Sequence, residues 1–267
     1  MEDKSQLRPK GAFTPAQLTY WSNNIQGLNV PEKCSRLLKK LWAARVSMVF
    51  LKETHFRGSE APKLENRRFP AGYYANHPDA RKAGVAILFA HTVPFQCTAT
   101  LADPNGRYLF LKGTIADHTY TFACLYSPNR RQHIFINRTL TKLESFREGL
   151  LVMAGDLNLP LEPRLDTSRG TSAVPAHCIH TTLWALSRLG LVDCRRASHP
   201  DDRDYTHYSA VHSHYNRIDY IFLAQEFLTL LHNTDIELME HSDHAPVVAR
   251  TRSPLFKPRE RQWKLND

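Results

Sequence analysis

The stretch Met153-Ala-Gly-Asp-Leu-Asn-Leu-Pro160 is the sharpest local signal in the chain. The apolar run Leu150–Ala154 before it reads as a short strand that stops at Gly155 and delivers Asp156 and Asn158 to its carboxyl end. Residues i and i+2 of an extended chain point alike, so the carboxylate and the amide share one side. Together they can hold a water and donate to a phosphoryl oxygen. An isolated Gly-Asp-x-Asn is about as often a plain Asx turn after a strand. What the rest of the chain supplies therefore decides the reading.

Toward the C-terminus, Arg217-Ile-Asp-Tyr-Ile221 reads as a strand that buries Asp219 between Ile218 and Tyr220. A buried, unpaired carboxylate is costly, so Asp219 needs a partner. The segment His241-Ser-Asp-His-Ala-Pro246 offers one in His244, next to Asp243. An imidazole held by a carboxylate at one nitrogen keeps the other free as a base. Toward the N-terminus, the strand Val46–Leu51 leads into Glu53, a hard oxygen ligand suited to Mg²⁺. Asn23-Asn-Ile-Gln-Gly-Leu-Asn29 and Leu125-Tyr-Ser-Pro-Asn129 set amides and a phenol at two further strand-to-loop junctions.

Around these segments the periodicity predicts a helix from Pro31 through Leu37, Leu38, Leu41 and Trp42. A second runs from about Arg131 to Gly149 with Ile134, Phe135, Leu140, Leu143 and Phe146 toward the core. A third spans Ala176–Leu189 and closes on Gly190, and a fourth spans Gln225–Leu231. Strands are predicted at Gly84–Phe89, Tyr108–Ile115, Tyr120–Tyr126, Tyr215–Leu223 and Ala245–Arg250. Two similar halves emerge, each mixing helix and strand, which suggests an α/β sandwich of two packed sheets with helices outside. Residues 1–18 read as a leader, 19–252 as one domain and 253–267 as the start of a linker.

The 267 residues are enough for one large core. A net charge of +9, with 14 histidines uncounted, favours a polyanionic partner without naming it. The five cysteines are scattered and never form C-x-x-C, which argues against a disulfide framework or a thiolate zinc site and for a reducing, intracellular setting. No signal-like apolar core begins the chain and no apolar run approaches about 18 residues, so no membrane partner is expected.

Singly these motifs are weak, but their order is specific. Asn24, Glu53, Tyr126 with Asn129, Asp156-x-Asn158, Asp219 and Ser242-Asp243-His244 resemble the ordered set of the endonuclease/exonuclease/phosphatase superfamily over about residues 19–250. Within it the chain is most similar to the apurinic-type endonuclease domain of non-LTR (LINE-type) retrotransposon ORF2 polyproteins, with the Tx-type clade as the nearest guess. The matching stretches are Asn24-Ile-Gln-Gly-Leu-Asn29, Lys52-Glu-Thr-His55, Gly84-Val-Ala-Ile-Leu88, Leu125-Tyr-Ser-Pro-Asn129, Tyr205-Thr-His-Tyr-Ser209, Arg217-Ile-Asp-Tyr-Ile221 and Ser242-Asp-His244. The closing Trp263-Lys-Leu-Asn266 looks like the segment that follows this domain in such polyproteins.

The resemblance implies a four-layer α/β sandwich, two mixed β-sheets face to face with helices outside. It implies a Mg²⁺-dependent endonuclease, with Mn²⁺ substituting, that nicks one strand of double-stranded DNA. The resulting 3′-hydroxyl would prime a reverse transcriptase domain of the same polyprotein, in the nucleus after assembly in the cytoplasm. Glu53, Asn24 and Asp243 would hold metal. His244 would be the general base, oriented by Asp219, and Asp156 would position or deprotonate the nucleophile or protonate the leaving oxygen. Asn158, Tyr126, Asn129 and Thr206 would bind phosphate, with Ser242, Gln26 and Arg217 also at the DNA. Gln26 departs from the Asp or Asn common in the family and removes a possible charged contact to metal.

Residues Arg195–His214 would lie beside the site, in the region that enters the minor groove in these endonucleases. Arg107, Arg130, Arg131 and Arg138 could contact phosphates or simply be solvated. A repair apurinic endonuclease, a phosphatase of the same fold and a catalytically dead DNA-binding module stay open as rivals. Leu159-Pro160, where the lipid phosphatases carry an aromatic and an arginine, weighs against the second. Retention of Glu53, Asp156, Asp219 and His244 together weighs against the third.

Overall fold

Alternation of buried side chains builds the first sheet of the computed structural model, which describes residues 16–58, 63–211 and 213–253. Strand β1 (Gln17–Asn24) runs into helix α1 (Pro31–Ala43), which returns the chain to β2 (Met48–Lys52) parallel to β1. In these strands and in β4 (Val85–Phe89), Tyr20, Met48, Phe50, Val85, Ile87 and Phe89 face one way. Trp21, Val49, Leu51, Ala86 and Leu88 face the other, where Leu37 and Leu41 of α1 cover them. A strand covered on both faces must be apolar throughout, which is why β2 and β4 read as unbroken hydrophobic runs. Strand β3 (Ala71–Ala75) borders β4 at one edge.

The second sheet repeats the plan. Strands β5 (Phe95–Ala102), β6 (Tyr108–Ile115) and β7 (His118–Tyr126) form a meander, and helix α2 (Gln132–Phe146) crosses to β8 (Leu150–Asp156), parallel to β7. The short helix α3 (Pro163–Asp166) and helix α4 (Ala176–Arg188) lead to β9 (Leu191–Asp193) and α5 (Cys194–Ser198). A small hairpin, β10 (His207–Ser209) with β11 (His214–Asn216), precedes β12 (Asp219–Ala224). Strands β13 (Leu231–Ile236) and β14 (Val247–Arg252) return to the first sheet. The sheet orders are β13-β14-β1-β2-β4-β3 and β5-β6-β7-β8-β12-β9.

Phe50, Phe89 and Tyr20 of one sheet meet Phe122, Tyr120 and Phe95 of the other in a single core. Fully burying a large apolar side chain contributes roughly 1.5–3 kcal/mol, so this aromatic seam is the main adhesive between the sheets. Ile136, Leu140 and Leu143 of α2 and Ile179 and Leu186 of α4 close the outer face of the second sheet. The result is helix, sheet, sheet, helices: four layers, as predicted.

Several local predictions need correction. Strand β8 continues through Gly155 to Asp156, because Gly155 packs where an added Cβ would lie 3.1 Å from Leu125. The predicted strand Tyr215–Leu223 is two strands: the Arg217 amide leaves the ladder to donate to Asp166 O, and that of Ile218 donates to Thr206 Oγ1. Ile136, not Ile134, faces the core from α2, and Ile134 is 37% exposed. Trp42 is likewise half-exposed, stacked by the Arg68 guanidinium 4.2 Å above its ring. Gln225–Leu230 is a 3-10 helix. Strand β1 starts at Gln17, inside the predicted leader, and the Trp263-Lys-Leu-Asn266 segment lies outside the described residues.

Candidate active site

Each sheet has one parallel pair near its centre, and both pairs end at the same place. Asn24 stands opposite Lys52 at the end of β1 and β2, and Tyr126 stands opposite Asp156 at the end of β7 and β8. The antiparallel neighbour β12 adds Asp219, in register with Asp156. Parallel strands carry their connections away on helices, which leaves their carboxyl ends open for ligands.

The Asn24 amide joins the two sheets: its Nδ2 donates to Glu53 Oε1 at 2.7 Å and to Asp156 Oδ2 at 2.9 Å. The second Glu53 oxygen lies 3.0 Å from His55 Nε2, and Tyr126 also hydrogen-bonds to this carboxylate. Burial works against the ionised form, but Asn24, Tyr126 and His55 together hold Glu53 below the usual glutamate range. Gln26, Glu53, His55 and Asn158 have left-handed backbone, with φ of 47°, 51°, 57° and 48°. Such strain in non-glycine residues costs of order 1–3 kcal/mol each and clusters at functional sites. Asn158 is held in that turn by its N–H to Asp156 Oδ1 and its Nδ2 to Ser127 O.

His244 reaches the site from the loop before β14. Its Nδ1–H donates to Asp219 Oδ2 at 2.7 Å, and its Nε2 lies 4.0 Å from Asp156 Oδ2. Asp219 Oδ1 makes no hydrogen bond and faces Lys52 Nζ at 3.4 Å, while Lys52 donates to Ser22 Oγ at 2.7 Å. Burial disfavours the Asp219 carboxylate, yet His244 and Lys52 outweigh it and hold the group at about 2. Burial and the neighbouring Asp219 charge push Asp156 up to about 6. Burial opposes the imidazolium of His244, but Asp219 and Asp156 raise it to about 9. The sequence makes His244 the base; in this field it keeps its proton at neutral pH, and Asp156 is the group poised to accept one.

Lys52 is the functional residue that the sequence reading misses. Its signal is a lone charge ending Met48-Val-Phe-Leu-Lys52, a strand otherwise apolar and wholly buried. Other assignments shift. Thr206 is buried, and its hydroxyl accepts the Ile218 and Asp219 amides at 3.1 Å and hydrogen-bonds to the Asp219 carboxylate. It positions Asp219 instead of meeting phosphate. Arg217 is 2% exposed; Asp166 takes its Nε at 2.8 Å and Asp193 its Nη1 at 2.7 Å, so it is structural and not available to DNA. Ser242 Oγ caps the Asn24 carbonyl and accepts the His244 amide, fixing the loop. Asp243 is largely exposed and sits with His207 and His244, not with Glu53. Asn129 is exposed and Gln26 is exposed beside Asn24, both free to meet a ligand.

A divalent cation fits the donor set. Asp156 and Asp219 converge near the buried ammonium of Lys52, Glu53 joins them through the Asn24 amide, and Asp156, Asp219 and His244 each bring one donor atom to within 4.8 Å of the others. Asn24 presents its NH₂ to the carboxylates while its Oδ1 accepts the Gln26 amide, so it bridges acids instead of offering the predicted oxygen. Beyond Glu53 and Tyr126 opens a cleft of about 600 Å³ whose walls carry Lys82, Arg107, Arg130, Arg131, Arg138 and Lys142. Arg107, Arg130, Arg131 and Arg138, the arginines expected to contact phosphates outside the motifs, all line it. Of the described residues in 195–214, Thr206 and His207 meet Asp219 and His244. Arg195 and Arg196 are tied back to Asp204 and to Asp166 respectively. In the hairpin, Tyr215 lies between Tyr205 and Tyr208, at ring distances of 5.9 and 4.7 Å.

Comparison with known proteins agrees with this architecture. The sequence model described as Endonuclease/Exonuclease/phosphatase family matches residues 23–244. The AP endonuclease LMAP from Leishmania major superposes with a TM-score of 0.73 at 15% identity, over 90% of this chain and 89% of that one. An AP endonuclease from Archaeoglobus fulgidus gives 0.66 at 18% identity, over 87% and 98%. The APE2 catalytic domain of Xenopus laevis gives 0.67 at 19% identity, over 88% and 92%.

Proposed function

We propose that this chain, which belongs to the endonuclease/exonuclease/phosphatase family, is a Mg²⁺-dependent endonuclease that nicks one strand of duplex DNA. The observation that carries this reading is the cluster of Glu53, Asp156, Asp219 and His244, joined by Asn24, beside a cleft that Glu53 lines together with six Lys and Arg side chains. A cleft in which cations outnumber carboxylates attracts a polyanion, and the acid cluster beside it would repel the same polyanion without a cation.

Glu53 is the residue that would hold Mg²⁺, with the Asp156 carboxylate across the Asn24 bridge. When bound, the ion neutralises the surplus carboxylate charge and polarises the scissile phosphoryl oxygen. Asp156, with its pKa near 6, takes the proton of the attacking water. The His244 imidazolium, held by Asp219, donates to the phosphoryl oxygen as negative charge grows there. Asn158 and Asn129 offer amides to the same group, and Lys52 helps to hold Asp219 ionised. Hydrolysis breaks the P–O3′ bond and leaves a 5′-phosphate, and the departing O3′ takes a proton from solvent to become a 3′-hydroxyl.

Such an end is what a reverse transcriptase needs as a primer. The resemblance of Asn24–Asn29, Leu125–Asn129 and Tyr205–Ser209 to non-LTR retrotransposon endonucleases supports that role, on chromosomal DNA in the nucleus. The test is nicking of supercoiled plasmid with Mg²⁺ and with chelator, followed by polymerase extension of the nick. Loss of activity in chelator and extendable ends are expected; cleavage unaffected by chelator, or ends that cannot be extended, would sink the proposal. The structural likeness to AP endonucleases favours a second reading, a repair enzyme. Preference for abasic over intact duplex by orders of magnitude would select it.

A further inference from the structure

A histidine outside the set just described stands against His244. His207 opens the hairpin, and its ring centroid lies 4.6 Å from that of His244. Backbone bonds clamp its segment to the loop that carries the catalytic histidine: Ala245 N–H donates to Thr206 O at 2.6 Å and Tyr208 N–H to Asp243 O at 3.4 Å. Asp243 then straddles the two rings. Its Oδ2 is 3.8 Å from His207 Nε2 and its Oδ1 is 3.8 Å from His244 Nε2. Both gaps are too long for hydrogen bonds. Donors about 2.1 Å from one tetrahedral ion stand roughly 3.4 Å apart, so a small side-chain shift closes the set.

We propose that His207, Asp243 and His244 form a second cation site, selective for zinc-like ions, whose occupation silences the nuclease. The three residues each offer a ligand atom within 4.8 Å of the others. Two imidazoles and one carboxylate match Zn²⁺ and not Mg²⁺, which takes oxygen donors and keeps much of its water. His244 is already prepared as a ligand: its Nδ1–H is fixed on Asp219, the carboxylate–histidine arrangement that orients and strengthens metal-bound imidazoles. The Nδ1 of His207 is buried without a hydrogen bond, which leaves Nε2, the nitrogen facing Asp243, as the ring's polar outlet. Exposure of Asp243 keeps an entry path open. Binding replaces the proton on His244 Nε2 by the ion and releases it to solvent, so the imidazolium is no longer available to the phosphoryl oxygen. The silencing rests on the nuclease reading; the binding does not.

The experiment titrates the folded protein with zinc ion in excess Mg²⁺, by calorimetry and by imidazole NMR. The background is Cys178→Ser, because the Cys178 thiol lies 3.2 Å from His177 Nε2 and 3.7 Å from His133 Nε2 and would compete for zinc. One zinc per chain is expected, with shifts in the His207 and His244 ring nitrogens. His207→Ala should weaken binding by tenfold or more, and His207→Asp, which restores a donor, should recover part of it. In the same background, zinc should stop Mg²⁺-supported nicking by the parent and spare His207→Ala, whose activity without zinc stays near the parent's. Equal zinc affinity in parent and His207→Ala, or unmoved His207 resonances, overturns the site. A protein that binds zinc as stated and nicks nothing under any condition overturns the nuclease reading alone.

Discussion

Arg217 and Asp219 are two residues apart, yet they enter two buried charge clusters of opposite character. Around Arg217, two cations meet two anions. Arg217 and Arg196 share Asp166 Oδ1 at 2.8 Å each, Asp193 takes Arg217 Nη1, and the Leu161 and Glu162 amides fill Asp166 Oδ2. The Arg217 guanidinium lies 4.7 Å above the Tyr220 ring. Around Asp219 the sums do not close: the carboxylates of Glu53, Asp156 and Asp219 outnumber the Lys52 ammonium and the His244 imidazolium, Asp219 Oδ1 has no hydrogen bond, and Asp156 and His244 are both pushed far from their ordinary ranges. A balanced cluster fixes the chain, while an unbalanced one is held ready for a cation and a proton.

Exchanging the roles of the two clusters would break this contrast. Asp156→Asn removes the proton acceptor, and nicking should fall by about 10³-fold while the melting temperature holds or rises, since a like charge beside Asp219 is gone. A plasmid assay that finds the variant within tenfold of the parent would reassign the base. Asp166→Ala should do the reverse. It strands two arginines and should cost about 3–5 kcal/mol in urea unfolding, with the nicking rate per folded molecule unchanged.

Lys52→Met sharpens the comparison. With its cation gone, Asp219 pulls harder on the His244 proton, so the imidazole should titrate higher by roughly one pH unit, read by NMR. No movement would mean that Lys52 serves only to fill space. The smallest effects are in pH. Nicking by the parent should rise through about pH 6, as Asp156 ionises, and fall toward about 9, as His244 loses its proton. Stability follows the same groups. The His244 contribution is complete below the unfolded histidine value, about 6.5, and is lost as pH rises through about 9. That of Asp219 is complete above about 3.9 and is lost as pH falls through about 2. A urea midpoint that does not drop between about pH 6.5 and 9.5 would contradict the His244 linkage.

The difference between the clusters also explains what could be read in advance. Asp156, Asp219 and His244 announce themselves because polar residues at the ends of apolar strands violate local pattern, and their order along the chain is distinctive. Thr206 and Arg217 belong to the same motifs but point away from the ligand, and sequence adjacency does not reveal which way a side chain turns. Lys52 hides because its partner is about 170 residues later, and Asp166 because nothing local marks a buried aspartate on a four-residue helix. The strands that escaped notice, β3, β5, β9, β10 and β13, are short or rich in Ala, Thr and polar residues. Their pairing partners, not their composition, make them strands.

The placement of β14 sets a clock on the activity. This strand, the last among the described residues, inserts between β13 and β1, so the first and last described strands are neighbours, and His244 comes just before it. A ribosome that has released everything through Leu231 has made Asn24, Glu53, Asp156 and Asp219, but no chain holding them together with a charged imidazole. Closure of such a distant pair is slow compared with local helix formation. On the proposed mechanism a nascent chain, or one truncated before residue 244, lacks its proton donor and should not nick, and activity should arrive in one step once His244 is in place.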